Sequence, residues 1–149
     1  MSGPILALVA APAGVPERAS LEALALARRL AADTGSPLEA ILVAGAGDAR
    51  TAAPALAGSG VTTAVVVDHP ALTTGHPDGW ASAIRQVAEA RGAAAVVGAG
   101  TDRGNELLAR VAARMGLPLA ANCIAVEPGE RYRLTRQRWA GSLLEDAWL

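Results

Sequence analysis

Apolar and polar positions alternate along this chain with two different periods, and each change of period marks an element. Pro4 to Ala10 is a continuous apolar run, the pattern of a strand covered on both faces. A loop rich in Pro and Gly runs from Ala11 to Ala19. From Ser20 to about Asp33 the spacing becomes helical. Ala23, Leu24, Ala27, Leu30 and Ala31 form the stripe, Glu22, Arg29 and Asp33 lie opposite, Ser20 reads as the N-cap and Gly35 as the stop. Leu38 to Ala44 reads as a second strand and Gly45 to Arg50 as a loop. A short helix is expected from about Ala52 to Leu56, with Pro54 tolerable in its first turn. Val61 to Val67, rich in Val and Thr, is a third strand ending at Asp68. The loop from His69 to Pro77 is the longest irregular piece. Asp78 then reads as the cap of a helix whose stripe is Trp80, Ile84, Val87 and Ala88.

The densest information lies between Ala93 and Cys123. A buried strand, Ala93 to Val97, meets a glycine-rich loop of Gly98, Ala99, Gly100, Thr101, Asp102, Arg103 and Gly104. A helix follows, with Leu108, Val111, Ala112 and Met115 on one stripe and Glu106, Arg110 and Arg114 able to pair along the other face. Gly116 and Pro118 stop it. A glycine loop between a strand and a helix N-terminus can receive an anion, because unpaired backbone N–H groups point there. It is equally a tight turn that simply needs small residues. Within it, Asp102 reads as the helix N-cap in preference to a ligand.

Successive strand–helix units predict an α/β fold with a doubly wound, mostly parallel sheet. The ending differs: Leu119 to Val126, a turn at Glu127 to Glu130, Arg131 to Trp139 and Leu143 to Leu149 read as antiparallel additions. The expected strand order is 3-2-1-4-5. Its direction reverses between strands one and four, where open parallel sheets bind ligands beyond their carboxyl ends. The loops there are Ala11 to Gly14 and Gly98 to Gly104. Candidate nucleotide contacts are therefore Ala11, Pro12, Gly98, Gly100, Thr101, Asp102, Gly104 and Asn105, with backbone N–H groups near Gly104 and Asn105 on phosphate. Asp68, at a strand end, is a candidate for a ribose hydroxyl or plain turn chemistry. The final apolar stretch, closing on Trp148-Leu149, suggests a fragment or an end covered by a partner.

The 149 residues suit one domain over the whole chain. Half of the composition is hydrophobic (52%), yet aromatics are only 3%, which favours close helix–sheet packing. The formal net charge of −1 gives no electrostatic case for nucleic acid or an anionic membrane. All 13 basic residues are arginine; without lysine there is no Walker lysine, no Schiff base and no lysine general base. Cys123 has no partner for an internal disulfide, so a reducing cytoplasm is the expected setting. The N-terminus lacks a basic region and its apolar run is too short to span a membrane.

Most motifs fail. The loop glycines read GxGxxxG and follow the fourth strand, unlike the dinucleotide fingerprint. The phosphate-binding spacing of universal stress proteins is absent, as is the SGGxDS loop of ATP pyrophosphatases. His69 and His76 have no metal-ligand spacing around them, Cys123 reads as packing, and Gly58-Ser59-Gly60 is not a nucleophile elbow. Arg131, Arg133, Arg136 and Arg138 cluster on one strand, either a solvated edge that resists aggregation or a partner-facing surface.

Three segments in order resemble the electron transfer flavoprotein alpha/beta family, most closely the N-terminal domain of the alpha subunit. GNELLARVAARMGLP, from Gly104 to Pro118, is similar to that family's G-[KR]-[DN]-L-x-P-R-V-A-A-x-L helix. RQRWAGS, from Arg136 to Ser142, is similar to R-P-x-Y-A-G-N, and SLEALALARRLAADTG is similar to its early helix. Ala109 stands where the family usually has proline, Ala121-Asn122 where Ser/Thr-Asp is usual, and Trp139 and Ser142 replace Tyr and Asn. These departures mark a divergent member. The resemblance implies an adenine-nucleotide alpha-hydrolase-like sheet and a carrier component, not a catalyst, in electron transfer from FAD-dependent dehydrogenases. It further implies a beta subunit as partner and FAD held mainly by a C-terminal alpha-subunit domain that these 149 residues do not include. This chain alone is then not expected to hold FAD. In the beta subunit the equivalent domain binds AMP, so AMP is the cofactor to consider at Gly98 to Gly104, although alpha subunits generally lack it. The rival reading is a stand-alone adenine-nucleotide module of universal stress protein type, with a homodimer as the form of an isolated chain.

Overall fold

A computed structural model of the chain describes residues 3–72 and 75–149. Positions 73 and 74, inside the expected His69–Pro77 loop, and positions 1 and 2 lie outside the described residues. Four parallel strands form the first sheet: β1 (Ile5–Ala10), β2 (Leu38–Val43), β3 (Thr63–Val66) and β4 (Ala95–Val97), ordered β3-β2-β1-β4. β1 is central and its apolar run is buried on both faces, as its unbroken hydrophobicity requires. Ile5, Ala7 and Val9 face one layer; Leu6 and Leu8 face the other.

On the first face lies α1 (Arg18–Thr34), whose Leu24, Ala27, Leu30 and Ala31 pack on β1 and β2 together with α2 (Ala46–Ala52). On the second face, α3 (Pro77–Arg91) and α4 (Asp102–Met115) bring Trp80, Ile84, Leu107 and Val111 against Leu6, Leu8 and Ile41. Gly35 and Gly116 end α1 and α4 at φ of 65° and 63°, a left-handed conformation that glycine adopts without steric cost. α3 and α4 are tied by Asp78, whose carboxylate lies 2.8 Å from both Arg110 and Arg114. Those guanidiniums, led by Arg114, hold the Asp78 carboxyl below the usual range.

The doubly wound, mostly parallel plan with antiparallel C-terminal strands is the architecture observed. One detail differs from the expected order: the fifth strand, β5 (Cys123–Glu127), does not extend the parallel sheet. Pro118 has no amide to give a ladder, and Asn122 turns the chain at φ 58° just before β5 begins. β5 instead pairs with β6 (Arg133–Arg138), which pairs with β7 (Leu143–Trp148), in a separate antiparallel sheet ordered β5-β6-β7. This sheet leans on the first layer through Val126 and Tyr132, and Leu134 is buried beneath it.

Three local readings are corrected. Ser20 is not the cap of α1; it lies inside the helix, buried, and its hydroxyl accepts from the Ala10 amide at 3.0 Å. The hydroxyl thus serves the end of β1 in place of the helix start. The Gly45–Arg50 segment is mostly α2 rather than loop, with a short 3-10 turn from Ala53 to Leu56 after it. Ala49, Ala52 and Leu56 carry its buried side, a stripe diluted in the sequence by flanking glycines. His76, not Asp78, holds the cap position of α3, and Pro77 starts it.

Candidate functional site

The first candidate lies where β1 and β4 part. The register between them ends at Ala7 and Val97, and beyond it the chain opens into Ala11–Gly14 on one side and Gly98–Gly104 on the other. Ala11 is fully buried and serves the core. Pro12 begins an exposed 3-10 turn that returns at Gly14. These two loops are adjacent, as the sheet order requires.

The loop Gly98–Gly104 accounts for most of its own small residues. A Cβ on Gly104 would lie 2.0 Å from the carbonyl oxygen of Ala99, so this position must be glycine for the helix to start so close to the strand. A Cβ on Gly98 would press on Leu108 at 3.1 Å. Gly100 is different: it is exposed, and its nearest neighbour would be Asn122 Oδ1 at 3.7 Å. Thr101, not Asp102, is the N-cap of α4; its hydroxyl accepts from the Gly104 amide at 3.1 Å, and its carbonyl accepts from the Asn105 amide at 2.8 Å. The two amides considered for phosphate are therefore already engaged. The amides of Asp102 and Arg103, in the first turn, have no such partner among the described residues. Asp102 itself is exposed at the first helical position, where its charge suits the helix dipole.

Asp68 is not part of this group. It follows β3 at the far edge of the sheet, three strand spacings from β4, or about 14 Å. There its carboxylate meets Arg50 at 2.8 Å. It lines an open cleft of about 540 Å³ with Gly45–Asp48, His69, Pro70 and Leu72. Sequence reasoning missed this cleft because it missed α2, which forms one wall. His69 Nδ1 accepts from the Ala71 amide at 3.1 Å, which is turn chemistry. Among the described residues no group of three or more His, Cys, Asp or Glu could hold a metal ion. Cys123 is half-buried, and burial pushes its thiol pKa up, away from nucleophilic use.

The second candidate is the antiparallel sheet. Arg133, Arg136 and Arg138 are not on an edge, because β6 is the middle strand, whereas Arg131 lies before that strand and is exposed. Arg133 bridges Glu127 of β5 (3.4 Å) and Asp146 of β7 (3.0 Å), and Arg136 donates to the Ala121 carbonyl at 2.9 Å. Thr135 adds a bond to Asp146 at 3.0 Å. The Thr135 hydroxyl, followed by the Arg133 guanidinium, holds the Asp146 carboxyl below its ordinary pKa. Arg133, Arg136 and Arg138 thus pair across the strands. The apolar residues of the sheet take the opposite role: Ile124, Leu143, Leu144 and Trp148 are all exposed. At the hairpin tip Trp139, Ala140 and Gly141 stand at φ 52°, 51° and 86°, a left-handed run that the two non-glycine residues enter at a cost of about 1–2 kcal/mol each. Trp139 is 80% exposed there. The tip lines a cleft of about 340 Å³ with Asn122, Gln137 and Arg138. Asn122 also borders Gly100, so the two candidate regions adjoin.

No helix among the described residues is long and apolar enough to cross a membrane. The family model of the electron transfer flavoprotein domain matches residues 5–147, both sheets included. No curated protein matches the chain. With nearly every residue covered by that match, the chain belongs to the electron transfer flavoprotein domain family, and its function is tied to electron transfer flavoproteins and their association with partners.

Proposed function

From this membership we propose that the chain is the N-terminal domain of an alpha-like subunit, a docking scaffold in FAD-mediated electron transfer from dehydrogenases. The observation that carries the reading is the antiparallel sheet, which turns Leu144 and Trp148, 65% and 64% exposed, away from the core. Exposed apolar surface of this kind, rimmed by charged residues, is what a subunit interface looks like when its partner is missing. The partner in this reading is a beta subunit. FAD belongs to the assembly and is held outside these residues, and the setting is the reducing cytoplasm.

The glycine loop supports the alpha-like assignment over a nucleotide-binding one. Gly104 is required by packing, Gly98 is tight against Leu108, and the amides of Gly104 and Asn105 are spent within the helix start. AMP at this loop would have to rely on the amides of Asp102 and Arg103 beside Gly100.

The test is reconstitution. Mixed with an electron transfer flavoprotein beta subunit, the chain should co-elute with it as a one-to-one complex. Two separate peaks at micromolar concentrations, with the chain folded, would contradict the docking role.

A further inference from the structure

β7 is the end strand of its sheet, and the ladder to β6 fixes which of its backbone groups are free. Tyr132 and Leu149 exchange two hydrogen bonds, at 3.0 and 2.9 Å. The partners Leu134–Ala147, Arg136–Glu145 and Arg138–Leu143 continue that register. By the alternation of an antiparallel ladder, Leu144, Asp146 and Trp148 turn their N–H and C=O groups outward. The same three side chains share the outer face with Arg133 and Thr135, which both bond Asp146; because Arg133 is shared with Glu127, the cluster of Glu127, Arg133 and Asp146 keeps one net negative charge. The edge therefore offers unpaired backbone together with an apolar–acidic–apolar row.

A second copy of this chain fits that row poorly. Two β7 edges related by a two-fold axis must pair antiparallel with like faces together, so directly opposed residue numbers sum to an even value. The register that lays Leu144 on Trp148 of the copy also sets Asp146 against Asp146. The neighbouring register sets Glu145 against Glu145 and wastes Leu144 on Asp146. Like charges directly opposite are destabilising, and carboxylates on an edge are a known guard against self-pairing.

We propose that the β7 edge accepts an extended segment of a different protein chain as a fourth strand, with a basic residue opposite Asp146 and apolar residues opposite Leu144 and Trp148. This rests on the docking role above and specifies how the partner engages. Backbone bonds supply the affinity, and the alternate side chains supply the selection.

The test uses the whole chain and two synthetic peptides. Both carry the same apolar residues at alternate positions; one has lysine and the other glutamate at the centre. The lysine peptide should bind at least tenfold more tightly. Leu144→Pro should abolish its binding and leave the melting temperature nearly unchanged, because that amide faces outward and an end strand tolerates proline there. Asp146→Leu, which removes the opposed carboxylates, should convert a monomer into a dimer in sedimentation. Equal binding of the two peptides, binding that survives Leu144→Pro, or no binding of either would overturn the proposal. If the peptides fail while the beta subunit still co-elutes, the docking role stands and its partner uses another face.

Discussion

Trp80 and Trp148 are the same residue in two regions built on opposite terms. Trp80 is 1% exposed between α3 and the parallel sheet; Trp148 is 64% exposed on the antiparallel one. In the parallel layer the side chains of β1 and β2 are buried by helices on both faces, and Val15, Leu21, Leu117 and Leu119 are exposed in the loops and helices around it. In the antiparallel sheet Val126, Tyr132 and Leu134 pack inward, Arg133, Arg136 and Arg138 pair with carboxylates across the strands, and Leu143, Leu144 and Trp148 look outward. One region satisfies itself, and the other is ordered yet incomplete. The proposed docking role rests on this difference.

Substitution of the two tryptophans breaks the comparison most sharply. Trp80→Ala should cost about 3–5 kcal/mol by denaturant unfolding, the range for emptying a packed aromatic site. Trp148→Ala should change stability by less than about 0.5 kcal/mol while weakening association with a beta subunit. Equal stability losses would show that the antiparallel sheet is part of the same core. The glycine loop divides in the same way on a smaller scale. Gly104→Ala should cost roughly 1–3 kcal/mol, because its Cβ meets the Ala99 carbonyl. Gly100→Ala should be near neutral, since only Asn122 lies within reach, at 3.7 Å. Ser20→Ala should cost about 1–2 kcal/mol by leaving the Ala10 amide without its acceptor.

The smallest effect is electrostatic. Asp78 is held below the ordinary carboxylate value of 3.8 by Arg114 and Arg110, and Asp146 by the Thr135 hydroxyl and then Arg133. A depressed folded-state pKa contributes stability above the unfolded value and loses it as pH falls through the folded value. Stability should therefore decline below about pH 4. Asp78→Asn should flatten that decline in the parallel layer, and Asp146→Asn should flatten it in the antiparallel sheet. Both changes should be modest, because exposed pairs are screened by solvent.

Much of the fold was legible in the sequence. The two-faced burial of β1 follows from its unbroken apolar run, and the ends of α1 and α4 follow from Gly35 and Gly116. The misreadings have physical causes. Ser20 has the chemistry of a cap, but a hydroxyl one turn into α1 also reaches the β1 amide that the sheet leaves over. Thr101 and Asp102 are adjacent cap-competent residues, and only the backbone conformation decides between them. Leu119 to Val126 reads as an antiparallel addition, which β5 is; only its place as fifth strand in the order 3-2-1-4-5 fails, because the left-handed Asn122 before it redirects the chain. The site was less legible than the fold. Asp68 and the glycine loop both sit at strand ends, but strand order separates them. The arginine cluster was visible, whereas its clamping of β5 and β7 depends on pairings that no local pattern states. The resemblance in Gly104–Pro118 and Arg136–Ser142 reached the family that the match over residues 5–147 establishes.

The central claim is that this chain is a docking domain whose flavin is held elsewhere, and the contents of the purified protein test it most directly. Denaturing the chain, purified alone and again as its complex with a beta subunit, and measuring released small molecules by mass and absorbance would decide it. The account predicts that the chain alone releases neither FAD nor an adenine nucleotide in stoichiometric amount, although it is folded and binds the subunit. One equivalent of FAD or AMP released from the chain alone would contradict it and make the loop from Gly98 to Gly104 a cofactor site in its own right.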